Sequence, residues 1–465
     1  MLSIDFYKGQ KVAIFGLGRS GFSSALALRR GGAIPVCWDD SKTARDNAQT
    51  AGLIIEDLRV SKTWNEFSLL LLSPGIPYIY PQVNQIVEQA WRHQVPIDND
   101  VSLFFQSYSQ AFDDKASSMP RTIAVTGSNG KSTTSTLIHH ILNDSNRNVQ
   151  IGGNIGTPLF DLSPANIVET TVMELSSYQI EVAKLLIPDI AVFLNFSPDH
   201  LDRHGGIGGY FSAKRRLFKS NQNQISVVGV DEKEGLAITS DLRSRKGSQV
   251  IKISTKINLT HDEQSVFSDG RNLFECKLGK IVNKLDITNL AGLPGNHNFQ
   301  NICAAYAVCR VLEISPEDIF TALKSYNALP HRTELIATLS GVKFINDSKA
   351  TNATSTLSAL NSFSNIHWIA GGRGKGDGIT SLMEHLGSVK KTYLIGESAL
   401  DFSVQISGSP QSIFQTLDEA LAAAYKNAIP GDTVLLSPAA ASFDQYTNFE
   451  QRGLHFSKLV SELEI

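Results

Sequence analysis

Cysteine is scarce in this chain of 465 residues. The four present, Cys37, Cys276, Cys303 and Cys309, include no C-x-x-C pair. That excludes a disulfide framework and a zinc knuckle and leaves buried thiols as the reading. Positive charge is not in excess either: 42 Lys and Arg stand against 45 Asp and Glu, a formal net charge of -3. A surface able to neutralise many nucleic-acid phosphates is therefore not expected, and any phosphate binding must be local. No run approaches the roughly 18 apolar residues of a membrane span. The start, Met1 to Gln10, lacks the charged-then-apolar layout of a signal peptide, so a cytoplasmic protein without membrane insertion is expected. Fixed-period repeats and low-complexity tracts are also missing.

What is present is a recurring pattern of short apolar runs that end in glycine and lead into helical patterns, the signature of strand-helix units around parallel sheets. The fold class is α/β, and at roughly 100–200 residues per domain the length gives about three domains. In the first block, Lys11–Phe15 and Ile34–Trp38 read as buried strands flanking a helix from Gly21 to Arg30 that Gly31 and Gly32 close. Leu69–Leu72 is a further strand. After a polar segment, Asp113 to Pro120, that suits a linker, the second block opens with a strand over Arg121–Thr126 and a helix from Lys131 to about Leu142. Later strands are expected at Thr171–Leu175 and Asp189–Leu194, and the more polar stretch 221–290 as short strands and loops. The third block has strands at Val342–Asn346, Ile366–Ala370, Thr392–Ile395 and Thr433–Leu436, with an amphipathic helix over Leu417–Ala428.

Two glycine motifs sit at strand-helix junctions. Gly16-Leu-Gly18-Arg19-Ser20-Gly21 fits G-x-G-x-x-G, with Asp39 and Asp40 ending the next strand. The physics says only that a phosphate-bearing group can approach a helix N-terminus, which suits uridine diphosphate as well as a nicotinamide cofactor. Gly127-Ser128-Asn129-Gly130-Lys131-Ser132-Thr133 can cradle the phosphates of ATP with backbone N–H groups. Lys131 would meet β/γ-phosphate charge and Ser132 or Thr133 magnesium. This loop is shorter than G-x-x-x-x-G-K-[ST], because Val125 stands where that pattern has its first glycine. Glu174 ends an expected buried strand, where a carboxylate is expensive unless a cation or hydrogen bonds satisfy it. Asp199, His200 and Asp202 form a polar cluster beyond another strand end, where α/β sheets bind ligands.

The run T-G-S-N-G-K-S-T, then Gly152-Gly-Asn154-Ile-Gly156, Glu174-Leu-Ser176-Ser-Tyr-Gln179 and Ser197-Pro-Asp-His-Leu-Asp202, resembles the Mur ligases of peptidoglycan synthesis in identity and order. The resemblance continues through Ala213-Lys214, Gly295-Asn-His-Asn298-Phe-Gln-Asn301, Leu329-Pro-His-Arg332 and Asn346-Asp347-Ser-Lys349-Ala-Thr351-Asn352, and so covers nearly the whole chain. It implies three domains: an N-terminal Rossmann-like UDP-binding domain (1–99), a central P-loop ATPase domain (100–328) and a C-terminal Rossmann-like amino-acid-binding domain (329–465). It implies a ligase that activates a carboxylate with ATP as an acyl phosphate. Catalytic roles fall on Lys131, Glu174, His200, Lys214 and Arg332, and further ATP contacts on Asn298, Asn301, Asp347 and Lys349. Uridine-sugar contacts fall on Gly18, Arg19, Ser20, Ser41, Gly75, Asn154, Ser176 and Gln179. Two magnesium ions are implied, held by Ser132, Thr133, Glu174, His200 and Lys214. Lys214 matches the position where the family's lysine becomes a carbamate, and Arg215 and Arg216 are expected to favour its neutral amine if they face it.

Leu436-Ser-Pro-Ala-Ala-Ala-Ser442-Phe443-Asp-Gln-Tyr-Thr-Asn-Phe449-Glu-Gln-Arg-Gly453 resembles the D-glutamate-adding branch of the family, and the D-N-P-R of the diamino-acid-adding branch does not occur. By that resemblance Thr351, Lys375, Ser442, Phe443 and Phe449 hold D-glutamate, UDP-N-acetylmuramoyl-L-alanine is the other substrate, and the protein is a monomer. Asp40-Ser41 departs from the Thr-Arg that some relatives place near the uridine end. Two rivals explain less. A folylpolyglutamate synthase leaves the first domain and the Ser442–Gly453 run without a role, and a nicotinamide-dependent oxidoreductase leaves out Lys131, Glu174 and His200. A non-catalytic nucleotide-binding protein would not need the intact metal and phosphate residues.

Overall fold

A computed structural model describes residues 2–110, 122–164, 168–218, 224–290, 292–293, 295–327, 329–374 and 378–463. The linker expected at Asp113 to Pro120, and Lys375, expected to hold D-glutamate, lie outside the described residues.

Three sheets form. The first contains β1 (Lys11–Phe15), β2 (Ile34–Trp38), β3 (Ile54–Ile55), β4 (Phe67–Leu72) and β5 (Ile97–Asp98) in the order β3-β2-β1-β4-β5, all parallel. The second contains β6 (Thr122–Thr126), β7 (Val149–Gly153), β8 (Thr170–Glu174), β9 (Ile190–Phe193), β10 (Ile225–Gly229), β11 (Gln249–Ser254), β12 (Gln264–Ser268), β13 (Asn272–Lys277) and β14 (Lys280–Asp286). Its order is β14-β13-β12-β11-β10-β9-β6-β8-β7, with antiparallel pairing only where β12, β13 and β14 form a meander. The third contains β15 (Glu334–Leu339), β16 (Val342–Asn346), β17 (Ile366–Gly371), β18 (Val389–Ile395), β19 (Gln411–Ile413) and β20 (Thr433–Leu436), in the order β15-β16-β20-β17-β18-β19. Only β15 is antiparallel there.

The central strands are buried throughout and mostly apolar, with threonine the one polar residue type in β6, β9 and β20; sheets covered by helices on both faces favour that composition. In the first sheet the helix Arg19–Arg30 buries mostly small residues, among them Ser23, Ser24, Ala25 and Ala27, which lets it approach closely. Gly21 sets the limit, since a Cβ there would overlap the Gly16 carbonyl oxygen.

The first and second sheets belong to one compact unit, Met1–Thr288 with Gln300–Leu323. They share a core that runs from Ile14, Leu28 and Leu71 through Phe104 and Phe160 to Met173 and Phe193. The third sheet belongs to a second unit, Asn289–Phe299 with Lys324–Ile465. Alternation along β16 divides its core, with Ile345 packing beside Trp368, Phe402 and Leu435 on one face and Phe344 beside Ile369, Tyr393 and Phe456 on the other.

The expected strands at Lys11–Phe15, Ile34–Trp38, Val342–Asn346 and Thr433–Leu436 form over those residues. The polar stretch 221–290 supplies β10 to β14 and also a helix, Lys233–Arg243, which the expectation of short strands and loops missed. Its buried stripe is short and contains Gly235 and Thr239 beside Ile238 and Leu242, too weak a pattern to stand out. All four cysteines are free and buried. Among the described residues no helix is long and apolar enough to cross a membrane.

Candidate active site

In the second sheet, β6 lies between β8 and β9, so the segments leaving the C-terminal ends of these three strands converge, as ligand-binding segments do in α/β sheets. The segment after β6 is the glycine loop. It ends at Gly130, whose left-handed φ of 81° lets it cap the helix Lys131–Asp144, and a Cβ on Gly130 would strike the Asn301 side-chain amide. Asn301 is buried and also accepts a hydrogen bond from the Thr134 hydroxyl. The loop is braced from β9: Asn129 N donates to Asn195 Oδ1 at 2.9 Å, and Asn195 Nδ2 donates to Asn129 O and to Gln300 Oε1. Ser128 Oγ lies 3.1 Å from the Tyr210 hydroxyl and donates to Ser197 O. These braces hold the uncapped start of a helix open to an anion. Ser132 is buried and Thr133 half-buried in its first turn.

Two lysines meet at this loop. Lys131 Nζ donates to Gly127 O at 2.9 Å and to Ser128 O at 2.7 Å. Lys214 Nζ, on a side chain only 1% exposed, donates to the same Gly127 O at 2.8 Å. Burial holds the Lys214 amine well below the usual lysine range, and the Lys131 charge adds to that, while Asp199 and Glu174 pull the other way. Arg215 and Arg216, expected to exert this effect, face elsewhere: Arg215 pairs with Asp241 at 3.0 Å, and Arg216 donates to Ile180 O and Ala183 O. The helix Ile207–Arg215 ends at these residues, so successive side chains fan out around it, and of Lys214, Arg215 and Arg216 only Lys214 is buried.

Glu174, at the end of β8, is 1% exposed. Its Oε1 accepts from Asn154 Nδ2 at 2.6 Å, and its Oε2 is buried with no hydrogen-bond partner among the described residues. Such an oxygen is costly unless a cation meets it, so the site fits a hard divalent ion. Asp199 lies 3.4 Å from His200 Nε2. The His200 ring lies tilted against Tyr178, its centre 4.9 Å away, and His200 has a left-handed φ of 55°. Among the described residues no group of three or more His, Cys, Asp or Glu surrounds a metal position. An ion here would therefore also draw on hydroxyls, phosphate or a chemically altered lysine. Asn195, Gln300 and Tyr210 were not singled out from sequence; the signal for Asn195 was a polar residue just past a buried strand.

In the first sheet, β1 lies between β2 and β4, and Ser73 Oγ donates to Gly16 O at 2.7 Å across that switch point. Gly18 caps the helix Arg19–Arg30 without a side-chain bond, leaving N–H groups for an anion. Asp39 is spent locally, accepting from Leu17 N at 2.6 Å and Ser41 N at 2.7 Å, while Ser41 caps the helix Lys42–Thr50. Arg19 reaches Gly156 O, and Arg203 donates to Gly75 O at 3.2 Å, so the first sheet's loops are tied to those of the second. Ser20 is half-buried. Ser176 and Gln179 form a reciprocal capping box at the start of the helix Ser177–Val182.

In the second unit the ends of β16 and β20 meet where Ser437 Oγ donates to Asp347 Oδ2 at 2.8 Å and Thr333 N donates to Asp347 Oδ1 at 3.1 Å. Burial pushes the Asp347 carboxyl up to about 7 against these bonds and the nearby Arg332 charge. Lys349 Nζ stands 3.8 Å from the centre of the Phe449 ring. Thr351 N donates to Lys349 O. Ser442 is buried, Phe443 is 61% exposed, and Phe449 opens the helix Phe449–Glu462. Asn298 is buried in the same unit.

The description "Mur ligase middle domain" matches residues 125–309, and "Mur ligase, glutamate ligase domain" matches residues 331–440. The chain is 49% identical over 464 residues, covering 100% of each chain, to UDP-N-acetylmuramoylalanine–D-glutamate ligase of Cereibacter sphaeroides. It is 48% identical over 457 residues, 98% of each, to the protein of that name from Ruegeria pomeroyi. Among solved structures, UDP-N-acetylmuramate–alanine ligase from Thermotoga maritima shares the fold at a TM-score of 0.60 and 16% identity, over 97% of this chain and 99% of that one. With identity of this order along the full length and a phosphate loop, two lysines on one loop carbonyl and an orphaned carboxylate at one sheet end, the chain belongs to the Mur ligase family.

Proposed function

We propose that this chain joins D-glutamate to UDP-N-acetylmuramoyl-L-alanine at the expense of ATP, in the cytoplasm and as a monomer. The observation that carries the reading is the pair Lys131 and Lys214 converging on one carbonyl oxygen beside Glu174. The substrates are those in the names of relatives 49% and 48% identical along the whole chain. In this reading an L-alanyl carboxylate oxygen attacks the γ-phosphorus and ADP leaves; the amine of D-glutamate then attacks the acyl carbon, and the amide bond forms as inorganic phosphate leaves and the nitrogen gives up a proton. No enzyme nucleophile is needed, so the protein's work is positioning and charge neutralisation.

The N–H groups at the end of the loop and in the first helical turn, Gly130 to Thr133, are assigned to the phosphates, and Lys131 exchanges two carbonyl acceptors for phosphate oxygens. Arg332 is assigned to the same developing charge, and Asn298, Asn301, Asp347 and Lys349 to the rest of ATP. Mur ligases depend on magnesium, which when bound offsets charge on the transferring phosphoryl group. Glu174, His200, Ser132 and Thr133 are the residues that would hold it, at two positions, with Lys214 joining as a carbamate. Carbamylation turns a buried cation, which repels an ion, into an anionic oxygen ligand. Gly18, Arg19, Ser20, Ser41, Gly75, Asn154, Ser176 and Gln179 are assigned to the uridine sugar. Thr351, Lys375, Ser442, Phe443 and Phe449 are assigned to D-glutamate, and the domain limits are 1–99, 100–328 and 329–465. Phosphate release with UDP-N-acetylmuramoyl-L-alanine, ATP and either D-glutamate, L-glutamate or buffer tests the reading. Release is expected with D-glutamate alone, and equal release with the L-isomer sinks the assignment.

A further inference from the structure

The helix Phe449–Glu462 carries a cation where a cation is expensive. Arg452 is 1% exposed, and every hydrogen bond it makes goes to a neutral oxygen. Its Nε donates to Ser348 Oγ at 3.0 Å and its Nη2 to Ser348 O at 2.9 Å and Ala440 O at 3.1 Å. Its Nη1 points to Gly371 O at 3.5 Å. Burial lowers the guanidinium to about 10, with Asp444 and Tyr446 opposing from a distance. Asp444 accepts no hydrogen bond from it and instead accepts from Glu397 N at 3.2 Å. Carbonyl dipoles alone are poor payment for a buried charge, and such a charge is normally met by a carboxylate.

The acceptors share a location. Ser348 follows β16 and precedes Thr351 by three residues. Gly371 ends β17 and starts the loop that leads to Lys375, and Ala440 follows β20 and lies two residues before Ser442. Ser348 Oγ in turn donates to Phe449 O at 2.9 Å. One guanidinium therefore fastens the segment that carries Thr351 to the one that carries Ser442.

We propose that Arg452 is a positioning and specificity-determining residue, whose buried, neutral-ligated charge favours a dicarboxylic amino acid held by the segments that follow β16 and β20. The inference rests on the assignment of D-glutamate to that pocket. Arg452 does not touch the amino acid. It fixes the segments and supplies a positive field that water screens little at this depth.

The test is steady-state kinetics of Arg452→Gln, Arg452→Lys and Asp444→Asn in the full-length enzyme, with melting temperatures for each. Arg452→Gln is expected to raise the KM for D-glutamate by roughly ten-fold, as one charge acting through protein allows, and to leave the KM values for ATP and the UDP-sugar unchanged. Arg452→Lys, which keeps the charge, is expected to recover most of that loss; a purely structural fork would be damaged by both changes alike. Asp444→Asn removes the opposing carboxylate from a half-exposed position and is expected to lower the D-glutamate KM, an outcome readable even where the Arg452 variants melt early. An unaltered D-glutamate KM in a folded Arg452→Gln, equal loss in Arg452→Lys, or a raised KM in Asp444→Asn overturns the proposal. Wild-type enzyme that releases no phosphate with D-glutamate overturns the pocket assignment instead, so the two failures are distinct.

Discussion

Two residues turn local environment into measurable behaviour. Lys214 is buried, shares the Gly127 carbonyl with Lys131 and lies among Glu174 and Asp199, so its amine is poised to lose charge. Lys214→Ala is expected to lower turnover by at least about a hundred-fold, the scale of losing one preorganised electrostatic group. Added acetate should restore part of it, whereas Lys214→Arg should resist rescue because its cation still fills the space. Full activity of Lys214→Ala in bicarbonate-free buffer would remove the residue from the mechanism. Asp347 makes a different prediction. Its folded value of about 7 lies above the roughly 3.9 of a free aspartate. The native state therefore binds the extra proton between those values, and stability falls as pH rises from about 4 to 7 and stays low above it. Asp347→Asn keeps an acceptor for Thr333 N but carries no charge. At pH 8 its melting temperature should exceed the wild type's by a few degrees, roughly 2–4 °C for each kcal/mol recovered. At pH 5 the gap should close, and calorimetry showing the same gap at both values would mean that the Asp347 charge does not govern it.

Among the elements, the glycine loop is the most constrained. Gly130→Ala would place a Cβ at φ 81°, costing about 1–2 kcal/mol, and would press it onto the Asn301 amide. The KM for ATP should rise by about ten-fold while that for the UDP-sugar stays fixed, and parallel rises in both would show a general loss of fold. This loop was legible in sequence because its chemistry is local: glycines, a lysine and a hydroxyl between a buried strand and a helix. Strands buried on both faces were legible for the same reason, since continuous apolar runs such as Thr433–Leu436 admit few alternatives. β15 was not, because Glu334–Leu339 is an edge strand of mixed exposure, and its place depends on antiparallel pairing with β16. Nor could sequence say that Arg215 and Arg216 turn away from Lys214, because the orientation of the helix Ile207–Arg215 is set by the packing of Tyr210 and Ala213.

At the scale of the molecule, three α/β sheets do not make three equal folding units. Only one face of the first sheet has a core of its own; on the other, Ile14, Leu28, Leu71 and Phe104 sit in one cluster with Phe160, Met173, Phe193 and Tyr210 of the second. The link is reinforced where Asn99 Nδ2 donates to Gln179 O at 2.7 Å and Lys184 N to Asp98 Oδ1 at 3.1 Å, with Asp98, Asn99 and Gln179 all buried. The third sheet differs, because both faces of its core are filled from within residues 336–463. A motif reading places a boundary wherever a new strand-helix pattern starts, but it cannot tell a shared core from a private one, since apolar residues look alike in either. Independent folding requires a private core. A fragment of residues 324–465 is therefore expected to melt in one cooperative transition by circular dichroism. A fragment of residues 1–99 should expose the apolar face it normally shares, bind a hydrophobic dye and melt without a sharp transition. A fragment of residues 1–323 should restore cooperativity, because it returns the partner face to the first sheet. Cooperative melting of 1–99 alone would show that its remaining core, built on Trp64, Leu70 and Val87, suffices without the shared cluster.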